Sequence, residues 1–283
     1  MPTFTLNGQS IDAPEGLNLL DYLREEARLT SVKNGCAEGA CGACMVVADG
    51  KATRACLLNT SKLGGKNILT VEGLPEREKA IFAFAFGEAG AVQCGFCIPG
   101  MVMSAKALLD KNAAPSAAEI KEALKFNICR CTGYVKIEKA IRLAAEYWRD
   151  PERPLAETEK LFGLLGDPIH RADAADKALG RGLYTDDLKP ENMLYGRALR
   201  TPAPRAFIKK IDVSEARKLP GVAAVMLAGD IPGERYLGHL SHVQDWPALI
   251  AEGEETRTIG DALALVAAES PAVVAEALKL IRV

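Results

Sequence analysis

The sequence predicts an α+β chain of three successive domains, and three observations carry that prediction. Short alternating runs joined by Asn-Gly and Asp-Gly turns fill about the first 70 residues; helical periodicity then runs to residue 149, and short strands alternate with helices thereafter. All eight cysteines lie at or before Cys131, in two groups of four that fall one in each of the first two regions. The 283 residues leave room for two or three cores of domain size. A formal charge of −2, with 48% hydrophobic and 25% charged residues, is ordinary globular composition and argues against a nucleic-acid-binding surface.

In the first region, residues 4–6, the Asn7-Gly8 turn and residues 10–13 predict a hairpin. Residues 17–29 predict an amphipathic helix, and residues 45–48 and 52–56 predict strands joined through Asp49-Gly50. A last segment ending near Val71 completes what reads as a small β-grasp domain, bounded at 1–74. Cys36, Cys41, Cys44 and Cys56 sit in its long loop with the spacing C-x4-C-x2-C and a fourth cysteine eleven residues on, the plant-type spacing for a [2Fe-2S] cluster. A four-cysteine zinc site normally presents two separated C-x2-C knuckles, which the C-x4-C step does not fit. Gly35, Gly39 and Gly42 are expected to allow positive φ and close backbone approach, so that amide N–H groups point at the sulfurs.

The second region, 75–150, predicts four helices: one over residues 76–90, one over 100–111, a third opened by a capping box in which Ser116 precedes Glu119, and one over 134–149. Cys94-x2-Cys97 and Cys129-x-Cys131 fall at helix junctions, so a four-helix bundle could hold a second cluster between them. By spacing alone this group also suits zinc. Gln93, by itself, reads as a surface amide capping the turn that follows it.

The segments GCAEGACGAC, QCGFCIPG and CRCTGY together resemble the two iron-sulfur motifs of the molybdenum hydroxylases, the xanthine dehydrogenase and aldehyde oxidoreductase family, in order and separation over residues 1 to 150. The resemblance implies that Cys36, Cys41, Cys44 and Cys56 ligate an outer [2Fe-2S] cluster. Cys94, Cys97, Cys129 and Cys131 would ligate an inner one, next to a Mo-molybdopterin that Gln93 and Cys131 contact. Ile98 departs from the Thr or Ser often found there, removing a hydroxyl from the inner cluster loop.

The charged, Pro-bearing stretch after Trp148 reads as a linker over 151–165. Beyond it, residues 193–199, 207–211, 222–227 and 262–267 predict strands, and residues 214–219 and 271–281 predict helices with a serine at or near each start. Composition shows no catalytic constellation there. By resemblance, residues 166–283 are the α/β hammerhead domain that opens the molybdenum-binding part of these enzymes, following directly with no space for a flavin domain. That order resembles flavin-free aldehyde oxidoreductases and the selenium-dependent xanthine dehydrogenase type, with the lean toward the latter. The chain ends where the resemblance would continue into cofactor-binding domains, so the hammerhead is expected to be incomplete alone. The expectation is a natural split subunit or a fragment, with the molybdopterin mainly on a partner catalytic chain or on missing domains.

The function this implies is electron relay from Mo-molybdopterin through two [2Fe-2S] clusters to an external acceptor, in an enzyme that hydroxylates a purine, N-heterocycle or aldehyde using water. A flavin subunit, a ferredoxin or a flavodoxin could be that acceptor. No catalytic residue is expected in this chain. A stand-alone two-cluster carrier without a molybdenum partner is the alternative. The absence of a basic, apolar leader and of a long apolar run predicts a cytoplasmic protein with no membrane partner. His239, His242 and His170 read as polar surface or local structure, residues 80–86 as helix core packing, and the Lys and Arg of residues 207–218 as a solvated face.

Overall fold

The computed structural model describes residues 1–150, 152–155, 171–238, 242 and 245–283. The predicted linker falls largely outside them, as do His170 and His239; His242 is exposed. Five strands, β1 (Thr3–Leu6), β2 (Gln9–Asp12), β3 (Met45–Ala48), β4 (Lys51–Arg54) and β5 (Asn67–Leu69), form one sheet in the order β2-β1-β5-β3-β4. β1 and β5 run parallel and the other neighbours antiparallel, the β-grasp arrangement.

The predicted helix over residues 17–29 is shorter and wider than its periodicity suggests. Leu17 and Asn18 stay extended; Asn18 accepts from the Leu20 N–H at 2.9 Å and donates to the Cys56 carbonyl at 2.8 Å. One turn of helix, α1 (Leu19–Asp21), then widens into a π-turn over Tyr22–Glu26. The extra residue per turn lets Leu19, Leu20, Tyr22 and Leu23 all bury against the sheet. The predicted strand over 52–56 also stops early: Ala55–Leu57 is a 3-10 turn, and that turn carries Cys56 out of the sheet edge.

The helical region contains α2 (Glu76–Glu88), α3 (Ile98–Leu109), α4 (Ala117–Ala123) and α5 (Val135–Arg149). The Ser116 hydroxyl accepts from the Glu119 N–H at 3.3 Å and the Glu119 carboxylate accepts from the Ser116 N–H at 2.8 Å, the capping box read from sequence. α3 is buried nearly all round, as the central helix of a bundle must be. Its one lysine, Lys106, is held by Glu78 at 3.1 Å and Asp110 at 2.7 Å beneath the Trp148 ring. Phe82 and Phe86 are fully buried, and Phe84 meets Tyr147 edge-on, so the aromatic run of α2 is core.

Strand β3 joins the two regions. Val46 belongs to the β-grasp core, whereas Met45 and Val47 point into the helical core with Ile98, Met101 and Val102. With both faces covered, the strand is apolar throughout rather than alternating. A short helix, α6 (Ala174–Ala178), adds Ala174, Ala178 and the following Leu179 to the same helical core, although the sequence assigns these residues to the third domain. Met1–Tyr184 forms one compact unit and Thr185–Val283 a second.

In the second unit β6 (Tyr195–Arg200), β10 (Ala262–Ala268) and β7 (Val222–Met226) make an antiparallel sheet with β10 central. α7 (Ser214–Lys218) and α8 (Pro271–Leu280) pack with it around Val225, Leu263, Val266, Val274 and Ala277. The Ser270 hydroxyl caps α8 by accepting from the Val273 N–H at 3.2 Å. β8 (Tyr236–Leu237) and β9 (Trp246–Pro247) pair separately. The strand predicted over 207–211 is absent. Ile208 exchanges single bonds with Glu254 and Gly253, and the Ile211 N–H donates to the Glu252 carboxylate at 2.6 Å, so loop groups take the amides that a strand neighbour would need. No helix among the described residues is long and apolar enough to cross a membrane.

Arg235 grips Glu254 with both guanidinium arms, at 2.5 and 2.7 Å, while the same carboxylate accepts from the Ala251 N–H at 2.9 Å. These bonds, led by that from Arg235, hold the Glu254 carboxyl at about 2, below its ordinary 4.5. A depressed carboxyl stabilises the fold fully above its unfolded value and loses that contribution as pH falls toward the folded value. Glu254→Gln is therefore expected to destabilise the second unit at pH 7 by about 1 to 2 kcal/mol, the pair being partly solvated. Denaturant melts of both proteins should converge as pH drops from 4.5 toward 2.

Candidate metal centres

The first cysteine group occupies the loop between α1 and β3 and the turn after β4. The Cys36 sulfur accepts from the N–H groups of Glu38 and Cys41, both at 3.4 Å, and these amides draw its thiol down to about 7. Burial acts the other way on Cys41, and pushes the Cys44 thiol up to about 12. Cys36 lies within side-chain hydrogen-bonding reach of Cys41, and Cys44 of Cys56. Gly39 and Gly42 have φ of +80° and +69° as expected, but Gly35 does not; its missing Cβ leaves room instead for the Cys41 sulfur, which would stand 2.9 Å from it.

The second group lies at the starts of α3 and α5. Cys97 is buried at the N-terminus of α3 and its thiol is pushed far up by that burial. Burial also opposes ionisation of Cys129, yet the Thr132 hydroxyl, 3.1 Å from its sulfur, and the N–H groups of Thr132 and Cys131 outweigh it, and that thiol lies below its ordinary value. The Cys131 sulfur is 3.7 Å from that of Cys94, and this bond raises the Cys131 thiol. Cys97 is within side-chain reach of Cys129.

The eight thiols thus stand as four pairs: Cys36 with Cys41, Cys44 with Cys56, Cys94 with Cys131, and Cys97 with Cys129. Among the described residues no three His, Cys, Asp or Glu side chains converge on a single-ion position. A tetrahedral zinc site needs four donors about one point. Two pairs in one group suit two irons, each taking two thiolates. The buried thiols ionise only when a cation compensates them, so metal uptake here displaces protons.

Gln93 is exposed and its side-chain amide donates to the Cys131 carbonyl at 3.0 Å, tying the two halves of the second group together. Ile98, the departure noted in sequence, is fully buried in the helical core at the first turn of α3.

The two groups are fastened to each other by residues the cysteine spacing does not mark. The Ile128 N–H, one residue before Cys129, donates to the Cys41 carbonyl at 2.8 Å. The buried Asn127 side chain donates to the Gly42 carbonyl at 3.1 Å and accepts from the Ser104 hydroxyl at 2.7 Å. A Cβ on Gly42 would lie 2.0 Å from the Phe126 carbonyl oxygen, so only glycine permits this contact. Tyr134, in the left-handed region at φ 69°, donates its hydroxyl to the Asn127 carbonyl at 3.0 Å and accepts from the Cys129 N–H at 2.9 Å. A polar Asn in the run Leu124-Lys-Phe-Asn-Ile-Cys was the one available signal.

Family models match along most of the chain. Residues 4–68 match the family described as 2Fe-2S iron-sulfur cluster binding domain, and residues 70–142 match [2Fe-2S] binding domain. Residues 179–283 match aldehyde oxidase and xanthine dehydrogenase, a/b hammerhead domain. The nicotinate dehydrogenase small FeS subunit of Eubacterium barkeri is 49% identical over 144 residues, 50% of this chain and 92% of that protein. The aldehyde oxidoreductase of Megalodesulfovibrio gigas is 35% identical over 95% of this chain but only 31% of its own length. The crystal structure of the aldehyde oxidoreductase from Desulfovibrio desulfuricans superposes on 99% of this chain and 33% of its own, with TM-score 0.74 and 34% identity. The chain therefore spans nearly all of a small iron-sulfur subunit and about a third of the longer oxidoreductases.

Asn127→Ala would leave the Ser104 hydroxyl and the Gly42 carbonyl buried without their partner. The expected cost is about 2 kcal/mol in denaturant melts. A variant as stable as the parent would show that this bridge contributes nothing to holding the loops together.

Proposed function

Because this chain belongs to the xanthine dehydrogenase and aldehyde oxidoreductase family of molybdenum hydroxylases, we propose that it carries electrons outward from a molybdopterin site. The molybdopterin lies mainly on a partner catalytic chain or on domains beyond these residues. The observation that carries this reading is the four thiol pairs, two in each of two [2Fe-2S]-binding domains. Cys36, Cys41, Cys44 and Cys56 would hold the outer cluster and Cys94, Cys97, Cys129 and Cys131 the inner one. When bound, such clusters supply one-electron oxidation and reduction with little change of shape.

The chain's own residues do the rest. The amides of Glu38 and Cys41 stabilise negative charge on Cys36, and the Thr132 hydroxyl does so on Cys129. Burial of Cys44 and Cys97 keeps water from one side of each group. Cys94 and Cys131 are exposed beside Gln93, which supports the reading that this face of the second group meets the pterin. The Ile128 to Cys41 bond gives the two groups a short covalent and hydrogen-bonded connection.

The relatives named above act on nicotinate or on aldehydes, and a purine, an N-heterocycle or an aldehyde is the substrate class proposed for the complete enzyme. The choice among them rests with residues outside this chain. A flavin subunit, a ferredoxin or a flavodoxin would accept electrons at the first group. Eight free thiols support a reducing, cytoplasmic setting.

Anaerobic purification from the native host, with iron, zinc, molybdenum and selenium counts, tests this. About four irons per chain, two for each cluster, should appear together with a larger molybdenum-bearing chain. Iron without molybdenum would favour a stand-alone carrier, and zinc without iron would sink the electron-transfer reading. In the same preparation, Cys41→Ser and Cys131→Ser are each expected to abolish one of two distinct paramagnetic signals of the reduced protein and leave the other; loss of both signals in either variant would contradict the assignment of separate groups.

A further inference from the structure

The described residues beyond the predicted linker and before Thr185 belong to the first unit. Residues 171–184 lie across the starts of both cysteine loops, and no cysteine motif marks them. Their seating is built in at the level of the backbone. Gly95, between Cys94 and Cys97, has φ +85°, and a Cβ there would fall 2.6 Å from the Cβ of Lys177 and 2.8 Å from its Cγ and Cδ. Asp173 steers that lysine, its carboxylate 3.0 Å from the ammonium, so the aliphatic stem lies over Gly95. Gly180 packs equally closely on Ser31 at the head of the first cysteine loop, with its carbonyl 3.5 Å from the ammonium of buried Lys33.

The segment ends on Tyr184. Its hydroxyl donates to the Cys94 carbonyl at 2.9 Å. Its ring meets Phe96 edge-on with centroids 5.8 Å apart, and the Lys33 ammonium stands 5.3 Å from the ring centroid. One side chain therefore touches the backbone of a proposed inner-cluster ligand, the aromatic residue between that ligand and Cys97, and a cation from the first cysteine loop.

We propose that residues 171–184 are a strap that sets the second metal centre, with Tyr184 as a positioning residue that fixes the Cys94 backbone and directs an O–H dipole at it. The role rests on the [2Fe-2S] assignment made above. A proton donated to a ligand residue's carbonyl draws electron density from that residue and favours the form of the centre carrying one more electron. The strap's cations, Arg171, Lys177 and Arg181, are ion-paired with Asp173 and Asp176 of the same segment, so the hydroxyl carries the effect. A phenol has a single proton to donate, and it goes to the Cys94 carbonyl, so the influence falls on the second centre.

The test uses the full chain, loaded anaerobically with iron and sulfide, in a reductive titration followed by electron paramagnetic resonance. Cys131→Ser identifies which signal belongs to the second centre. Tyr184→Phe, which removes only the hydroxyl, is expected to keep the iron content and shift the second signal's midpoint to lower potential while leaving the first in place. Tyr195→Phe, in the other unit, serves as control and should shift neither. Gly95→Ala should displace the strap, giving the same direction of shift and faster hydrogen exchange at the amides of Gly180, Arg181 and Gly182. Unchanged midpoints in Tyr184→Phe, or equal shifts of both signals, would overturn the role of the hydroxyl. Unchanged exchange in Gly95→Ala would overturn the seating. A parent chain that takes up no iron would instead remove the metal assignment, and the strap's role with it.

Discussion

The Gly42 backbone and the Phe126 carbonyl come so close that no side chain fits between them, and the arrangement of both cysteine groups depends on that contact. It brings Gly42 within reach of the Asn127 amide and Cys41 within reach of the Ile128 N–H. Gly42, Asn127 and Ile128 are each next to a cysteine or two positions from one, so the two loops cannot move independently without breaking buried hydrogen bonds. Breaking them would leave polar groups unpaired away from water, which costs more than the bonds contribute when made. The close contact is thus held by a penalty on its alternatives.

The rest of the first unit reinforces the same junction. β3 sends Val46 to one core and Met45 and Val47 to the other, so sliding the β-grasp region against the helices would expose apolar surface on both sides of one strand. α3 begins at Cys97 and runs through the middle of the helical core, which fixes the direction in which that cysteine faces. Rigid elements rather than the loops themselves therefore set the sulfur positions, as a preorganised metal site requires.

Electrostatics divides the eight thiols by depth. Cys44 and Cys97 are held neutral by burial, whereas Cys36 and Cys129 are drawn toward ionisation by amides and a hydroxyl. Each group thus combines a thiolate-prone sulfur with a protected interior one. The exposed members of the second group, Cys94 and Cys131, are tied by Gln93 on one side and Tyr184 on another, so even the solvent-facing sulfurs have oriented backbones.

The sequence by itself determined the α+β class, the β-grasp hairpin, the four main helices with the Ser116 cap, and the membership of both cysteine groups, because each depends on local spacing, turn chemistry or periodicity. It overextended the helix of residues 17–29 and proposed a strand over 207–211, since periodicity does not register the capping by Asn18 or the carboxylate of Glu252 that claims a strand's amide. Only the tertiary structure decided the pairing of the thiols, the Asn127 bridge and the seating of residues 171–184 in the first unit. Those depend on contacts such as Gly42 with Phe126, 84 positions apart by their numbers, and Tyr184 with Cys94, 90 positions apart, and a pattern read along the chain carries no information about which distant backbones will touch.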